Sequence, residues 1–162
     1  VVSSARIDFS GRWYAKSSGE WVSFSNSQGI GNGNFNAVAG SGSEPTPQFN
    51  KFGPLVRKGT TINRFLASFR SDNAQLTSIN VRVMFQYGNW SGVWDDTSLM
   101  SELVYGQDEL SIATDRHVKI DENQLGFVCP EDGYVLVYLQ PANPISGTRY
   151  VYSSINIDTL SI

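Results

Sequence analysis

The sequence predicts an all-β protein, an antiparallel β-sandwich with jelly-roll-like connections. Apolar and polar residues alternate with a period of two along most of the chain, which is typical of strands with one buried face. Turn-forming prolines and glycines separate these runs. Only 17% of the 162 residues are charged, while Gly, Ser, Asn and Thr are frequent. A chain of this length can bury one sizeable core, so we expect a single sandwich domain.

The chain contains both long, clear strand patterns and shorter candidates. The four clearest span 60–70, 76–87, 133–141 and 148–158. Shorter candidates span 5–9, 12–17, 20–25, 101–106, 109–113 and 116–120. Such short strands, separated by turns and longer connections, favour a sandwich or jelly roll over an open sheet. Residues 96–103 are the one stretch whose pattern allows a short helix.

Composition divides the chain into three segments. Residues 1–25 form an N-terminal β segment, and residues 55–162 contain the main sandwich. Between them, 26–54 holds six glycines and three prolines, which predicts a long loop or linker. It lacks the Lys-Ser/Thr of a phosphate-binding P-loop, and no βαβ pattern follows it. The first residue is Val1, which suggests that the chain is processed or excised from a longer protein.

The strand at 133–141 is apolar on both faces. Its alternate positions are Tyr134, Leu136 and Tyr138 on one face, and Val135, Val137 and Leu139 on the other. Antiparallel sandwiches usually leave one face of each sheet in water, so something must cover the second face. We expect another subunit to cover it and assign Val137 to this outer face. The alternative is that an N-terminal segment of the same chain lies over it.

Composition also excludes several partners and compartments. The net charge of −3 and the scattered basic residues offer no footprint for nucleic acid. No apolar run approaches the ~20 residues of a membrane helix, so we expect no membrane insertion. The single cysteine, Cys129, lies in the apolar stretch LGFVCP, which predicts a buried structural thiol.

Catalytic and metal sites are not expected. The only histidine, His117, has charged neighbours, which favours an exposed strand residue. No GxSxG sequence holds a nucleophile, and one histidine with one cysteine does not suit zinc. Asp95 and Asp96 lack the ligand spacing of a calcium loop. We therefore predict a protein without catalytic residues, metal or cofactor.

The stretch YGNWSGVWDD at 87–96 is the candidate receptor-binding site. The residues assigned to it are Tyr87, Asn89, Trp90, Trp94, Asp95 and Asp96. Aromatic rings stack on sugar rings, carboxylates and amides bind hydroxyls, and loops on a rigid scaffold often carry binding sites. The alternative is that both tryptophans fold back onto the core. Trp13 and Trp21, which lie inside strand patterns, are predicted to be core or interface residues.

Two motifs carry a resemblance to a known class of proteins. GTTI at 59–62 and FVCPEDGY at 127–134 resemble strand starts in trimeric jelly-roll heads, namely tumour-necrosis-factor-like domains and the distal tips of bacteriophage tail fibres. The segment DFSGRWYAKSSGEWVSFS at 8–25 resembles fibre sequence that precedes a receptor-binding head. The scarcity of cysteine favours the phage fibre over a secreted cytokine.

The resemblance implies a function and a location. The chain would be a homotrimeric receptor-binding head, with 1–25 as the end of a fibre shaft. Such a head is part of the virion, acts outside the cell, and attaches to a host polysaccharide or outer-membrane receptor. The alternative is a monomeric, non-catalytic carbohydrate-binding module from a larger enzyme.

Overall fold

The computed structural model describes residues 2–25, 33–38, 40–47, 55–88 and 99–162, with the backbone alone given for 24–25 and 33–38. Its strands are β1 (Ser3–Lys16), β2 (Val22–Ser25), β3 (Gly33–Val38), β4 (Thr61–Ser71), β5 (Ser78–Tyr87), β6 (Met100–Ser111), β7 (Val118–Glu122), β8 (Phe127–Val128), β9 (Tyr134–Pro141) and β10 (Thr148–Ser161). Within these ranges there is no helix that is long and apolar enough to cross a membrane. The all-β class is confirmed.

The strands form two antiparallel layers that share a core, as predicted for a sandwich. Hydrogen bonding runs in the order β6-β5-β9-β2-β3-β1-β10-β4-β7, and β8 pairs with β4. We call β6, β5, β9 and β2 the β5 sheet, and β1, β10, β4, β7 and β8 the β10 sheet. β3 joins them, since it pairs antiparallel with β2 and, over two residue pairs, parallel with β1.

The core lies between the inner faces of the two sheets. Trp13 and Phe69 from the β10 sheet belong to the same cluster of buried side chains as Val83, Phe85 and Val137 from the β5 sheet. In β4, buried positions recur at nearly every second residue, as the alternation of its sequence requires. Removal of these apolar surfaces from water is the main driving force for closing the sandwich.

The four strong strand predictions are confirmed as β4, β5, β9 and β10. Two pairs of short candidates merge into longer strands. β1 contains 5–9 and all of 12–17 except Ser17, and β6 contains 101–106 and continues as far as Ser111 within the candidate 109–113. Each long strand pairs along most of its length with a long neighbour, which satisfies its backbone across the glycines that interrupt the pattern.

The possible helix at 96–103 is wrong from Met100 onward, where β6 begins. Residues 96–98 lie outside the described part of the chain. The sequence of Met100–Leu103 has ordinary helix formers, but pairing with β5 decides its conformation. Tertiary pairing commonly overrides such weak local preferences.

The first two predicted segments, 1–25 and 26–54, contain strands β1 to β3. β1 pairs with β10 from Ser3 beside Ser161 to Lys16 beside Thr148, so this strand is an integral part of the sandwich. Within the expected loop 26–54, residues Gly33–Val38 form β3. The division at 26–54, and the assignment of 1–25 to the end of a fibre shaft, stay predictions.

The two apolar faces of β9 have different partners. Val135, Val137 and Leu139 belong to the main core. The assignment of Val137 to the outer face is therefore wrong, because alternation defines two faces without saying which one faces inward. The outer face carries Leu136 and Tyr138.

The chain itself covers the outer face of β9. Leu136 and Tyr138 form a second buried cluster with Trp21 and Met84. The indole Nε1 of Trp21 donates a hydrogen bond of 2.8 Å to the carbonyl of Gly42, which brings residues 40–47 to this face. The position of Trp21 agrees with the alternative prediction, in which an N-terminal segment of the same chain covers this face. The covered face requires no second subunit.

Gly133, in the motif at 127–134, occupies a position where a side chain does not fit. A β-carbon there overlaps the carbonyl oxygen of Gln86 and lies 2.7 Å from Cζ of Phe85. Gly133 also exchanges two backbone hydrogen bonds with Val56, which limits how far its backbone can move. We expect Gly133→Ala to lower the free energy of unfolding by about 1–3 kcal/mol, as overpacking does, measured by urea denaturation.

The matched control is Gly42→Ala. A β-carbon at Gly42 meets no heavy atom within 4 Å, so the unfolding free energy should change by no more than about 0.5 kcal/mol. Equal stability of the two variants would contradict the close packing at Gly133.

Candidate functional site

The structure describes one of the six residues assigned to the receptor-binding stretch. Tyr87 ends β5 and is half-buried, with its ring centroid 6.0 Å from that of Phe85. Burial raises the pKa of the Tyr87 phenol, and a hydrogen bond with the Glu102 carboxylate raises it further. Tyr87 therefore packs largely as an architectural residue at the edge of the core. The other five residues lie outside the described part of the chain: Asn89, Trp90, Trp94, Asp95 and Asp96. A binding role for 87–96 stays a prediction.

Trp13 and Trp21 are fully buried, which confirms their prediction as core residues. The indole of Trp13 donates a hydrogen bond to Oγ of Ser153. Cys129 is buried as predicted, and burial raises the pKa of its thiol to about 11. His117 is exposed as predicted, although it lies just before β7 and not within a strand. The three buried residues Trp13, Trp21 and Cys129 are therefore not accessible to a ligand.

A group of tyrosines and arginines lies on the outer face of the β10 sheet, where Arg12 is exposed and the other members are half-buried. We call it the Tyr–Arg surface; its members are Arg12, Tyr14, Arg70, Tyr150 and Tyr152. Along β10 the odd-numbered residues from Val151 to Ile157 are buried, so Tyr150 and Tyr152 point outward. No element outside the sheet is needed to place them there.

Strand register brings the members of the Tyr–Arg surface together. Tyr152 lies between Arg12 of β1 and Arg70 of β4, and Tyr150 lies beside Tyr14. Adjacent strands are about 5 Å apart, so the Cα atoms of Arg12 and Arg70 are roughly 10 Å apart on either side of Tyr152. The result is a flat row of alternating cationic and aromatic side chains.

Both guanidinium groups lie over tyrosine rings. Cζ of Arg12 lies 4.4 Å from the ring centroid of Tyr150 and 5.8 Å from that of Tyr14. Cζ of Arg70 lies 4.8 Å from the ring centroid of Tyr152. Cation–π attraction of this kind contributes about 0.5–1 kcal/mol at exposed sites. It orders long side chains that would otherwise be mobile.

A shallow groove continues from the Tyr–Arg surface along the same sheet. It encloses about 220 Å³ and is lined by Leu66, Ala67, Ser68, Lys119, Ser154 and Asn156. Ser154 pairs with Ser68, and Ser68 pairs with Lys119, which places this row next to the row of Tyr152 and Arg70. The groove thus adds hydroxyl, amide and ammonium groups to the aromatic row.

A second polar depression lies on the outer face of the β5 sheet. It encloses about 310 Å³ and is lined by Ser43, Asn80, Arg82, Asp108, Glu109 and Gln140. The buried guanidinium of Arg82 lies 3.0 Å from Glu44 and 2.7 Å from Asp108. Asn80 donates to Gln140, which in turn donates to the carbonyl of Gly19. These groups bind each other, so we assign them to holding residues 40–47 on the sheet.

Sequence reasoning missed the Tyr–Arg surface as a site. The alternation at 148–158 already placed Tyr150 and Tyr152 on one face of a strand. Arg12 and Arg70 belong to strands that are distant in sequence, and only their register brings them beside these tyrosines. The sequence could therefore indicate the tyrosine face of this strand, but not which residues of the adjacent strands lie beside it.

Comparisons with known proteins do not identify a family for this chain. No family model and no curated protein matches the sequence. Similar solved structures include a chain from the structure of infectious bursal disease virus Gx strain, with 10% identity and a TM-score of 0.43 over 99% of this chain and 32% of that chain. Another is the 60-mer BFDV capsid protein, with 8% identity and a TM-score of 0.30 over 99% of this chain and 93% of that chain. This chain spans about a third of the length of the first. At these TM-scores, neither likeness supports a functional inference.

Proposed function

We propose that this chain is a viral structural protein, the non-enzymatic receptor-binding head of a bacteriophage tail fibre, and that it attaches to a saccharide on the host surface. The observation that carries this proposal is the Tyr–Arg surface on a rigid sheet. Tyrosine and arginine are enriched in the parts of interfaces that contribute most to binding. The motifs at 59–62 and 127–134 supply the resemblance to fibre heads.

The chemistry of the surface suits a saccharide. A sugar ring has apolar C–H faces, which pack on aromatic area, and hydroxyls, which need hydrogen-bonding partners. The Tyr–Arg surface provides the first, and the adjoining groove provides Ser68, Ser154 and Asn156 for the second. Little backbone rearrangement is needed on binding, because every contributing residue except Lys119 lies on one of the three long strands β1, β10 and β4.

We further propose that the head is a homotrimer in the virion and acts outside the cell. β6 is an edge strand of the β5 sheet, and it exposes Met100 (53%) and Leu103 (49%). Exposed apolar side chains on a strand edge favour contact with another chain. Three copies of a weak site bind a host polysaccharide or outer-membrane receptor more tightly through avidity.

A monomeric carbohydrate-binding module is the second candidate. The observation that favours it is that the Tyr–Arg surface is complete within one chain. Native mass measurement separates the candidates: a species near three times 17.9 kDa supports the fibre head, and a stable monomer supports the module. Depolymerisation of a purified surface polysaccharide would instead reveal an enzyme.

We expect Tyr152→Ala to lower binding to host cells at least about tenfold, or 1.4 kcal/mol per site. Tyr152 is central to the surface and only half-buried, so oligomeric state and melting temperature should change little. The measurement is binding of labelled protein to a panel of bacterial strains. Trp90→Ala and Trp94→Ala, assayed in parallel, test the stretch 87–96. Normal cell binding by Tyr152→Ala, together with a loss in the tryptophan variants, would place the site in that stretch.

A further inference from the structure

We infer that the Tyr–Arg surface selects acidic saccharides, in which a carboxylate on the sugar binds between Arg12 and Arg70. This inference rests on the proposed saccharide-binding function and specifies its ligand. It makes the charge of the ligand, and not only its ring, a requirement for tight binding.

The first observation is the lack of compensating charge. Among the described residues, neither Arg12 nor Arg70 forms an ion pair, whereas Arg6 pairs with Asp158 at 2.8 Å and Arg64 with Asp121 at 2.9 Å on the same sheet. The protein as a whole has a net charge of −3. Two cations without carboxylate partners, on one face of an acidic protein, form a local site for an anion.

The carboxylates of Asp72 and Asp121 form hydrogen bonds with groups other than these two arginines. The Oδ1 atom of Asp72 accepts a hydrogen bond of 3.0 Å from the backbone N–H of Tyr150. Asp121 is held by Arg64, whose hydrogen bond lowers the pKa of this carboxyl. These carboxylates therefore have other partners.

The second observation is the position of the guanidinium groups. The Cζ atom of each lies over a tyrosine ring, 4.4 Å from the centroid for Arg12 and 4.8 Å for Arg70, and arginines held on aromatic rings can still donate N–H groups to planar acceptors. Arg70 uses Nη1 for the carbonyl of Thr114 and retains its other donors. Arginine binds carboxylates through two parallel hydrogen bonds, and stacking reduces the entropy lost when they form.

The third observation is the position of Lys119. This exposed ammonium lines the groove with Ser68 and Asn156. From Tyr152 to Asn156 the site extends over four residues of β10, or roughly 14 Å along the strand. A ligand with repeated negative charges would contact the arginine row and Lys119 together, with hydroxyl partners between them.

The test compares uronate oligomers with their methyl esters, which keep the ring and length but lose the charge. Oligomers of galacturonate, mannuronate and glucuronate are titrated into the full chain by calorimetry. We expect at least one acid to bind about tenfold or more tightly than its ester, since charge-assisted hydrogen bonds are roughly twice as strong as neutral ones. The ratio of affinities for acid and ester should fall as salt is raised from about 0.05 to about 0.5 M, because salt screens the attraction between the carboxylates and the arginines.

Two variants connect the preference to the arginines. Arg12→Gln and Arg70→Gln should each lower affinity for the acid about tenfold and leave affinity for the ester unchanged. The matched control is Arg57→Gln, which removes the same charge from an exposed residue that pairs with Asp132 away from this sheet face. It should bind like the wild-type protein.

The outcomes separate this inference from the function on which it rests. Equal affinity for acid and ester, with host cells still bound, overturns the acidic preference and leaves saccharide binding intact. Binding of none of the six probes, with normal cell binding by Arg12→Gln, also overturns it and directs the search to another surface. If Arg12→Gln loses cell binding but none of the six probes is bound, Arg12 contacts a partner of another kind, and the inference fails. A wild-type protein that binds no cells and no probe refutes the proposed function itself.

Discussion

Replacement of Val137 by aspartate is expected to unfold the protein at room temperature. Val137 is 1% exposed and belongs to the main core between the two sheets. An unpaired carboxylate buried there costs several kcal/mol, in addition to the lost apolar packing. Domains of this size are stable by only about 5–15 kcal/mol. Far-ultraviolet circular dichroism and gel filtration of the purified variant measure the loss.

Two controls assign this effect to burial of charge. Val137→Thr keeps the shape with a hydroxyl and should remain folded with reduced stability. Val128→Asp makes the same substitution at an exposed position of β8 and should fold normally. A Val137→Asp protein that folds but loses only its oligomeric state would instead put this residue in a subunit interface.

The second large effect is expected for Trp13→Ala, which should lower the free energy of unfolding by about 3–5 kcal/mol. Trp13 is among the largest fully buried side chains. Its removal leaves a cavity between the sheets and takes the donor away from Oγ of Ser153. Urea denaturation followed by circular dichroism measures the change.

The cost of the cavity and the cost of the hydrogen bond can be separated. Ser153→Ala keeps the ring but removes the hydroxyl that accepts the indole hydrogen bond, at a cost of about 1–3 kcal/mol. Trp13→Phe fills most of the volume and should fall between the two. A loss in Trp13→Ala no larger than in Ser153→Ala would mean that the sandwich collapses around the missing ring.

The sequence predicted β4, β5, β9 and β10 well, divided β1 and β6 into shorter candidates, and did not predict β3. β4, β5 and β10 carry a period-two pattern, and β9 is apolar on both faces. Such patterns are typical of half-buried and of fully buried strands, respectively. β3 lies in a glycine-rich stretch with no strong alternation. Its conformation depends on pairing with β2, which no local pattern encodes.

The candidate site shows a different limit. The outward direction of Tyr150 and Tyr152 follows from alternation with a more apolar face, which carries Val151, Ile155 and Ile157. The approach of Arg12 to Tyr150 depends on the register of β1 against β10, and a slip of one residue would turn its side chain into the core. Register is set by the whole buried face, so the site could be predicted only after the sheet was known. For 87–96, only Tyr87 can be compared with the structure.

The pairing of β1 with β10 also determines how this protein can be displayed. Ser3 and Ser161 are cross-strand partners, so their backbones are about 5 Å apart. Arg12 lies nine residues farther along β1, or roughly 30 Å from that end. A linker or affinity tag fused at either terminus therefore leaves from the same end of the sandwich, remote from the Tyr–Arg surface. On a sensor chip or a particle, either attachment would hold every copy with its arginines and tyrosines facing the solution, and a short peptide joining Ser3 to Ser161 would permit new termini at an exposed turn.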